Sequence, residues 1–269
     1  MFSMNQKVIV ITGGTGILGG SFVKGVCEAG GTAVILGRNQ VEGDDRVRQV
    51  KEAGGEALFI QADVLNESDL QKACDQVLST YGKINGLVNA AGGNIPEAVI
   101  GPDADIFTID IPALRKAFDL NLFGTILPTT IFGKAIAAGN EKGSIVNISS
   151  MAAQTAITRV LGYSMAKAAI DNFTRWMAVE LANRYGDKIR MNAIAPGFFI
   201  THQNRRLLTN EDGSYTSRGD AVIRSTPYKR FGEPDELIGT LLWLLGDGTG
   251  FVTGEVICVD GGFHVFSGV

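Results

Sequence analysis

Val8-Ile9-Val10-Ile11-Thr12-Gly13-Gly14-Thr15-Gly16-Ile17-Leu18-Gly19-Gly20 is the stretch from which the rest of the chain is read. An apolar, β-branched run forms a candidate strand, a glycine-rich turn follows directly, and Leu18, Phe22 and Val26 then recur at helical spacing. The turn contains Gly14-x-Gly16-x-x-Gly19 at a strand-to-helix junction. Glycines there let the backbone turn tightly and approach a pyrophosphate, whose charge is attracted by the free amides and dipole of the following helix. A glycine turn without a ligand is the bland alternative, and the strand before it and the helix after it argue against that reading.

Outward from this unit, strand-like runs alternate with helical patterns. The candidates are Val8–Thr12, Thr32–Leu36, Ala57–Gln61, Leu87–Ala90, Ser144–Ser149, Arg190–Ala195 and Val256–Val259. Strands separated by crossover helices predict an α/β fold, a seven-stranded parallel sheet covered by helices on both faces. Ligands in such folds bind beyond the carboxyl ends of the strands. A single domain over residues 1–269 follows, with one long polar, irregular region at about 198–230 read as a lid before a helix resumes at Glu233.

Composition narrows the function. Of 269 residues, 45% are hydrophobic and 19% charged, the balance of a globular protein rather than a disordered one. A formal net charge of −4 without a basic tail makes nucleic acid an unexpected partner. No uninterrupted apolar run approaches membrane-spanning length and no secretory signal pattern opens the chain, so a cytoplasmic protein is expected. Cys27, Cys74 and Cys258 are dispersed, which argues for buried apolar roles, and no metal site is expected.

An acidic residue that grips a ribose hydroxyl is expected at the end of the second strand, and here the sequence reads Leu36-Gly37-Arg38-Asn39. Arg38 is able to neutralise a 2′-phosphate, which favours NADP over NAD, with a solvated loop arginine as the alternative. Further along, Tyr163 and Lys167 stand four apart in a helical segment and share a face. A nearby ammonium is expected to lower the phenol's pKa and fit it for proton transfer. Val146-Asn147-Ile148-Ser149-Ser150 delivers a hydroxyl, Ser150, from a strand end, where it would hold a substrate oxygen beside the phenol.

With these residues the chain resembles the short-chain dehydrogenase/reductases over almost its whole length. Thr12 to Gly19 resembles the family's dinucleotide turn, with Gly13, Thr15, Gly16, Ile17, Leu18 and Gly19 about the cofactor and Arg38 and Asn39 following. Asp63 and Val64 resemble the adenine-side segment, and Asn89, Ala90 and Gly92 the Asn-Ala-Gly strand end. Pro196, Gly197, Phe199 and Thr201 resemble the nicotinamide-side loop. The resemblance implies a single-domain Rossmann fold and a catalytic tetrad of Asn121, Ser150, Tyr163 and Lys167. In it Tyr163 exchanges the proton, Ser150 orients the carbonyl, Lys167 tunes the phenol and binds the nicotinamide ribose, and Asn121 holds a relay water. Two features depart from the commonest pattern: the turn spacing is that of the family's extended branch, and Ala90 stands where a second asparagine is common. As alternatives, Asp63 would start a helix, and Asn89 or Asn121 would merely satisfy backbone groups.

Within the family the chain is most similar to the D-mannonate oxidoreductases, or fructuronate reductases, of the short-chain type, through Ala91 to Asn94, Asn192 to Phe199, Gln203 to Arg205 and the tail from Asp260. That implies a sugar-acid substrate, with Asn94, Ser150, Arg159, Gln203, Asn204 and Arg205 as candidate binding residues, and His202 and Arg206 beside them. Loop arginines are equally read as solvated. The segment from Ile95 to Leu114 is expected to form part of the pocket wall. A homotetramer is implied by the resemblance. Reduction of another polyol or ketose, or nucleotide sensing without turnover, are the competing functions.

Overall fold

The computed structural model describes residues 2–201 and 204–268. The seven strands are β1 (Val8–Thr12), β2 (Thr32–Gly37), β3 (Glu56–Gln61), β4 (Gly86–Asn89), β5 (Gly143–Ile148), β6 (Ile189–Pro196) and β7 (Val256–Val259). They form one parallel sheet in the order β3-β2-β1-β4-β5-β6-β7. β1, β4, β5 and β6 are buried along their whole lengths, which is why they read as largely apolar, with Asn89, Ser144, Asn147, Arg190 and Asn192 among their buried polar exceptions. The helices are α1 (Ile17–Glu28), α2 (Gln40–Glu52), α3 (Glu67–Tyr81), α4 (Ile111–Phe118), α5 (Gly124–Ala138), α6 (Leu161–Tyr185), α7 (Arg205–Leu208), α8 (Ser217–Ser225) and α9 (Ile238–Leu245).

Each face of the sheet carries its own core. Phe22, Val23 and Val26 of α1 pack with Leu241 and Leu244 of α9 on one side. Leu70 and Val77 of α3, Phe132 and Ile136 of α5 and Leu181 of α6 pack on the other. Helix starts follow local chemistry. The side chains of Asn39, Asn66, Asp110 and Thr216 accept backbone N–H groups at the starts of α2, α3, α4 and α8. Gly16, ahead of α1, supplies no such side chain.

One feature went unread in the sequence, and one expectation needs correction. α4, a π-turn over Asp119–Phe123 and α5 join into one helical run, Ile111–Ala138, that by length and composition alone could cross a membrane. Sequence reading missed it because Asp119, Asn121, Gly124 and Pro128 interrupt its apolarity; α5 packs on β4 and β5, as a core helix does. The region 198–230 is not irregular throughout. α7 and α8 fold within it over a small core of Leu208, Val222 and Phe231, with Phe198, Ile200 and Ile223 at its margin.

The strand order reverses between β2-β1 and β4-β5, so the loops after β1 and β4 part in opposite directions and leave a crevice at the carboxyl edge. Thr12 ties that edge together, its Oγ1 accepting the amides of Ala90 and Ala91 at 3.1 Å each.

Candidate active site

A cavity of about 530 Å³ opens at this crevice. One end is walled by the turn after β1 and by Arg38, Asp63 and Val64; the other holds Ser150, Tyr163 and Lys167, with Pro196, Gly197, Phe199 and Thr201 along its flank.

The turn is built around close backbone approach. Gly13 adopts φ 66°, its amide donates to Leu36 O (2.9 Å), and its own carbonyl accepts the Gly16 amide (3.0 Å). A Cβ on Gly19 would stand 2.1 Å from the Gly13 carbonyl oxygen, so the first turn of α1 lies directly on the loop. With no side chain capping Gly16, the leading amides of a 12-residue helix are open to the cavity, and the site is suited to a pyrophosphate. Arg38 lines the cavity, is exposed, and joins no ion pair among the described residues.

Tyr163 lies in the first turn of α6, and Lys167 follows one turn later on the same face, its Nζ 5.5 Å from the centre of the phenol ring. Lys167 is 4% exposed and donates to Ile148 O at 2.7 Å. Burial lowers its pKa to about 8, against the opposing charge of Asp171. For Tyr163 the expected balance is reversed: burial raises the phenol above its ordinary value, and only Ser150 beside it pulls the other way. Desolvation of the phenol is the larger influence, so the phenol is held protonated.

Ser150 stands two residues beyond β5 in an extended conformation, and its Oγ accepts the Ala152 amide at 3.1 Å. The hydroxyl proton stays free to be donated. Asn121 is fully buried in the π-turn: its Oδ1 accepts the Gly93 amide, and its Nδ2 donates to Gly93 O and Ala117 O, all at 2.9 Å. It therefore pins the loop after β4 against α4, outside the cavity lining, and flanks Gly92 together with Lys167 Nζ.

Other anticipated residues divide. Gly13, Thr15, Gly16, Ile17, Leu18, Gly19, Ala90, Gly92, Asn94 and Asn204 line the cavity. Asn39 instead caps α2, and Asn89 is buried behind the site, donating to Thr129 Oγ1 and Asn147 Oδ1 while its own Oδ1 has no partner. Asn204 is engaged by its own loop, accepting from Thr201 N and donating to Phe199 O, each at 2.7 Å. Arg159, Arg205 and Arg206 are exposed, and neither Arg159 nor Arg205 is part of the lining; Gln203 and His202 lie outside the described residues. No residue from Ile95 to Leu114 reaches the cavity. That segment braces the loop before α6, through Ile100 N donating to Arg159 O at 2.9 Å and Leu114 packed at Gly162. Of the cysteines only Cys74 is fully buried; burial raises the Cys27 and Cys74 thiols to about 11.

The structure adds residues that sequence reading passed over. Asp171, buried one turn beyond Lys167, accepts from Ser149 Oγ and so ties α6 to the strand end that carries Ser150. Its helical spacing from Lys167 was visible in the sequence. Ile157 and Val160 of the loop before α6, and Leu207 and Arg218 of α7 and α8, also line the cavity.

Comparison with known proteins agrees with this geometry. The family model described as Enoyl-(Acyl carrier protein) reductase matches residues 16–264. An uncharacterized oxidoreductase of Bacillus subtilis (strain 168), UxuB, is 42% identical over 98% of this chain and 96% of its own. A Haemophilus influenza structure with bound NAD, provisionally named a D-mannonate oxidoreductase, superposes with a TM-score of 0.90 at 37% identity, covering 99% of this chain and 98% of the other. A gluconate 5-dehydrogenase from Burkholderia cenocepacia J2315, in complex with NADP and tartrate, gives a TM-score of 0.85 at 29% identity over 98% and 97% of the two chains. With this sheet order, nucleotide turn and Tyr-Lys helix, the chain belongs to the short-chain dehydrogenase/reductase family of NAD(P)-dependent oxidoreductases.

Proposed function

We propose that the protein transfers hydride between a nicotinamide and the keto or hydroxyl carbon of a sugar acid, with D-fructuronate and D-mannonate as the substrate pair. The observation that carries this reading is one cavity holding Ser150, Tyr163 and Lys167 at one end and the open start of α1 at the other. Similarity to proteins named for D-mannonate and gluconate supports the sugar-acid class.

A bound nicotinamide supplies or takes the hydride. Ser150 donates its free hydroxyl proton to the substrate oxygen and holds it beside the phenol. In the reducing direction Tyr163, kept protonated by burial, gives its proton to that oxygen; in the oxidising direction it takes one back. Lys167, mostly protonated at neutral pH, stabilises the phenolate that remains and offers its other N–H groups to the ribose. Asn121, its amide engaged by Gly93 and Ala117, fixes the corner beside Gly92 across from Lys167, a positioning role in place of the relay water expected from the resemblance.

Asp63 and Val64 would flank the adenine. The exposed Arg38, without a carboxylate partner among the described residues, supports NADP as the preferred cofactor. Exposed Phe123, Trp176 and Val179, at 51, 59 and 60%, offer apolar surface for a homotetramer built on the π-turn and α6, which light scattering would weigh. The direct test is turnover of D-fructuronate, other keto-aldonates and neutral ketoses with NADH and NADPH, followed at the absorbance band of the reduced nicotinamide. Efficient reduction of the keto acids is expected, with kcat/KM higher for NADPH. A preference for neutral ketoses overturns the substrate reading, and a preference of more than about tenfold for NADH overturns the role given to Arg38.

A further inference from the structure

Arg218 occupies the first turn of α8, 60 positions along the chain from the residue its guanidinium touches: Thr158, with Nη1 at 3.4 Å from Oγ1 and Nη2 at 3.3 Å from the carbonyl oxygen. Thr158 belongs to the loop leading into α6, so Arg218 joins the cavity lining at the end where Tyr163 lies. Its neighbour there is a second cation. Arg159 has φ 75°, a left-handed conformation unusual for a residue with a side chain, and Ile100 N holds its carbonyl.

The Thr158 oxygens accept from Arg218 but bring no negative charge to offset the two cations. Neither arginine joins an ion pair among the described residues. Burial and the Arg159 charge both disfavour the charged form of Arg218. The start of a helix is also the end whose dipole repels a cation. A half-buried guanidinium kept against three opposing influences, on the wall of a cavity, is set to receive an anion, and a guanidinium's paired N–H groups match a carboxylate. Asn94, which lines the same cavity with its carboxamide unengaged among the described residues, is placed for a hydroxyl.

We propose that Arg218, with Arg159 beside it, is the element that binds the substrate's carboxylate and sets the enzyme's preference for sugar acids over neutral sugars. This rests on the sugar-acid reading above. It moves the anion-binding role from the exposed Arg205 to a residue of the lid's second helix, so that an acid substrate would hold α8 against the loop before α6 and close the site over itself.

The alternative for Arg218 is a latch, holding the lid through Thr158 without touching substrate. Steady-state kinetics of wild type, Arg218→Gln, Arg218→Ala and Arg159→Gln with D-fructuronate and with D-fructose separate the two, alongside cofactor affinity by fluorescence titration. Glutamine keeps a donor for Thr158 and removes the charge. The proposal predicts that KM for D-fructuronate rises roughly 10- to 100-fold in both Arg218 variants and less in Arg159→Gln, while D-fructose kinetics and cofactor affinity stay near wild type. Equal losses on both sugars, or wild-type behaviour of Arg218→Gln with D-fructuronate, overturn the carboxylate role while leaving the substrate class standing. A wild-type enzyme that reduces D-fructose and ignores D-fructuronate overturns the substrate reading, and the anion-binding role with it.

Discussion

Replacing Lys167 by methionine should stabilise the protein while abolishing its chemistry. The ammonium is 4% exposed, and its fall from 10.5 to about 8 means that burying the charged form costs the folded state about 3 kcal/mol at neutral pH. Methionine has nearly the same length and removes that cost, but leaves Ile148 O without its 2.7 Å donor, a loss of about 1 kcal/mol. The net expectation is a gain of about 2 kcal/mol at pH 7. Its pH dependence follows from protons. Below about 8 both folded and unfolded wild type carry the proton and the cost is complete. Between there and 10.5 the unfolded chain holds a proton that the folded protein has released, so wild-type stability rises with pH and the variant's advantage fades toward zero near pH 10. Urea denaturation of cofactor-free protein, at fixed concentration because assembly would shift the midpoint, reads this directly. A variant no more stable than wild type at pH 7, or one whose advantage persists unchanged at pH 10, would refute the reasoning.

Gly19→Ala places a Cβ 2.1 Å from a backbone oxygen, so the turn has to open. Cofactor Kd, measured by fluorescence, should rise at least about tenfold, and unaltered affinity in a folded variant would count against the phosphate role. Asp171→Asn removes the charge that raises the Lys167 pKa while keeping an acceptor for Ser149 Oγ, with Arg175 the other cation acting on that carboxyl group. Lys167 should then titrate below about 8, and the alkaline loss of kcat should move to lower pH; a pH profile that does not move would show that the carboxylate is not felt at the site.

The framework of the molecule was readable in the chain because burial on both faces makes the central strands largely apolar, and β1, β5 and β6 fall within a residue of their expected limits. Tyr163 and Lys167 were readable because helical spacing is local. α7 and α8 were not: they carry few apolar residues, and what orders them is Phe231 packing from outside both. Arg218 was not readable at all, since its place depends on a fold-back onto Thr158. Asn39, Asn89 and Asn204 carried family positions in the sequence, yet their side chains serve backbone and buried partners, the use to which short amides are readily put. The phenol shows how a pairwise argument fails. A lysine nearby predicts a lowered pKa in a uniform medium, but the same burial that makes the site removes water from both groups, and that loss is the larger influence on Tyr163.

Proton exchange at Tyr163 is tested most directly by single-turnover oxidation of reduced nicotinamide with Tyr163→Phe, where release steps do not intervene. Phenylalanine keeps the ring beside Lys167 and removes only the hydroxyl. The rate should fall by at least about 100-fold with cofactor affinity held within a few-fold of wild type. Turnover at the wild-type rate by a folded, cofactor-binding variant would contradict the account.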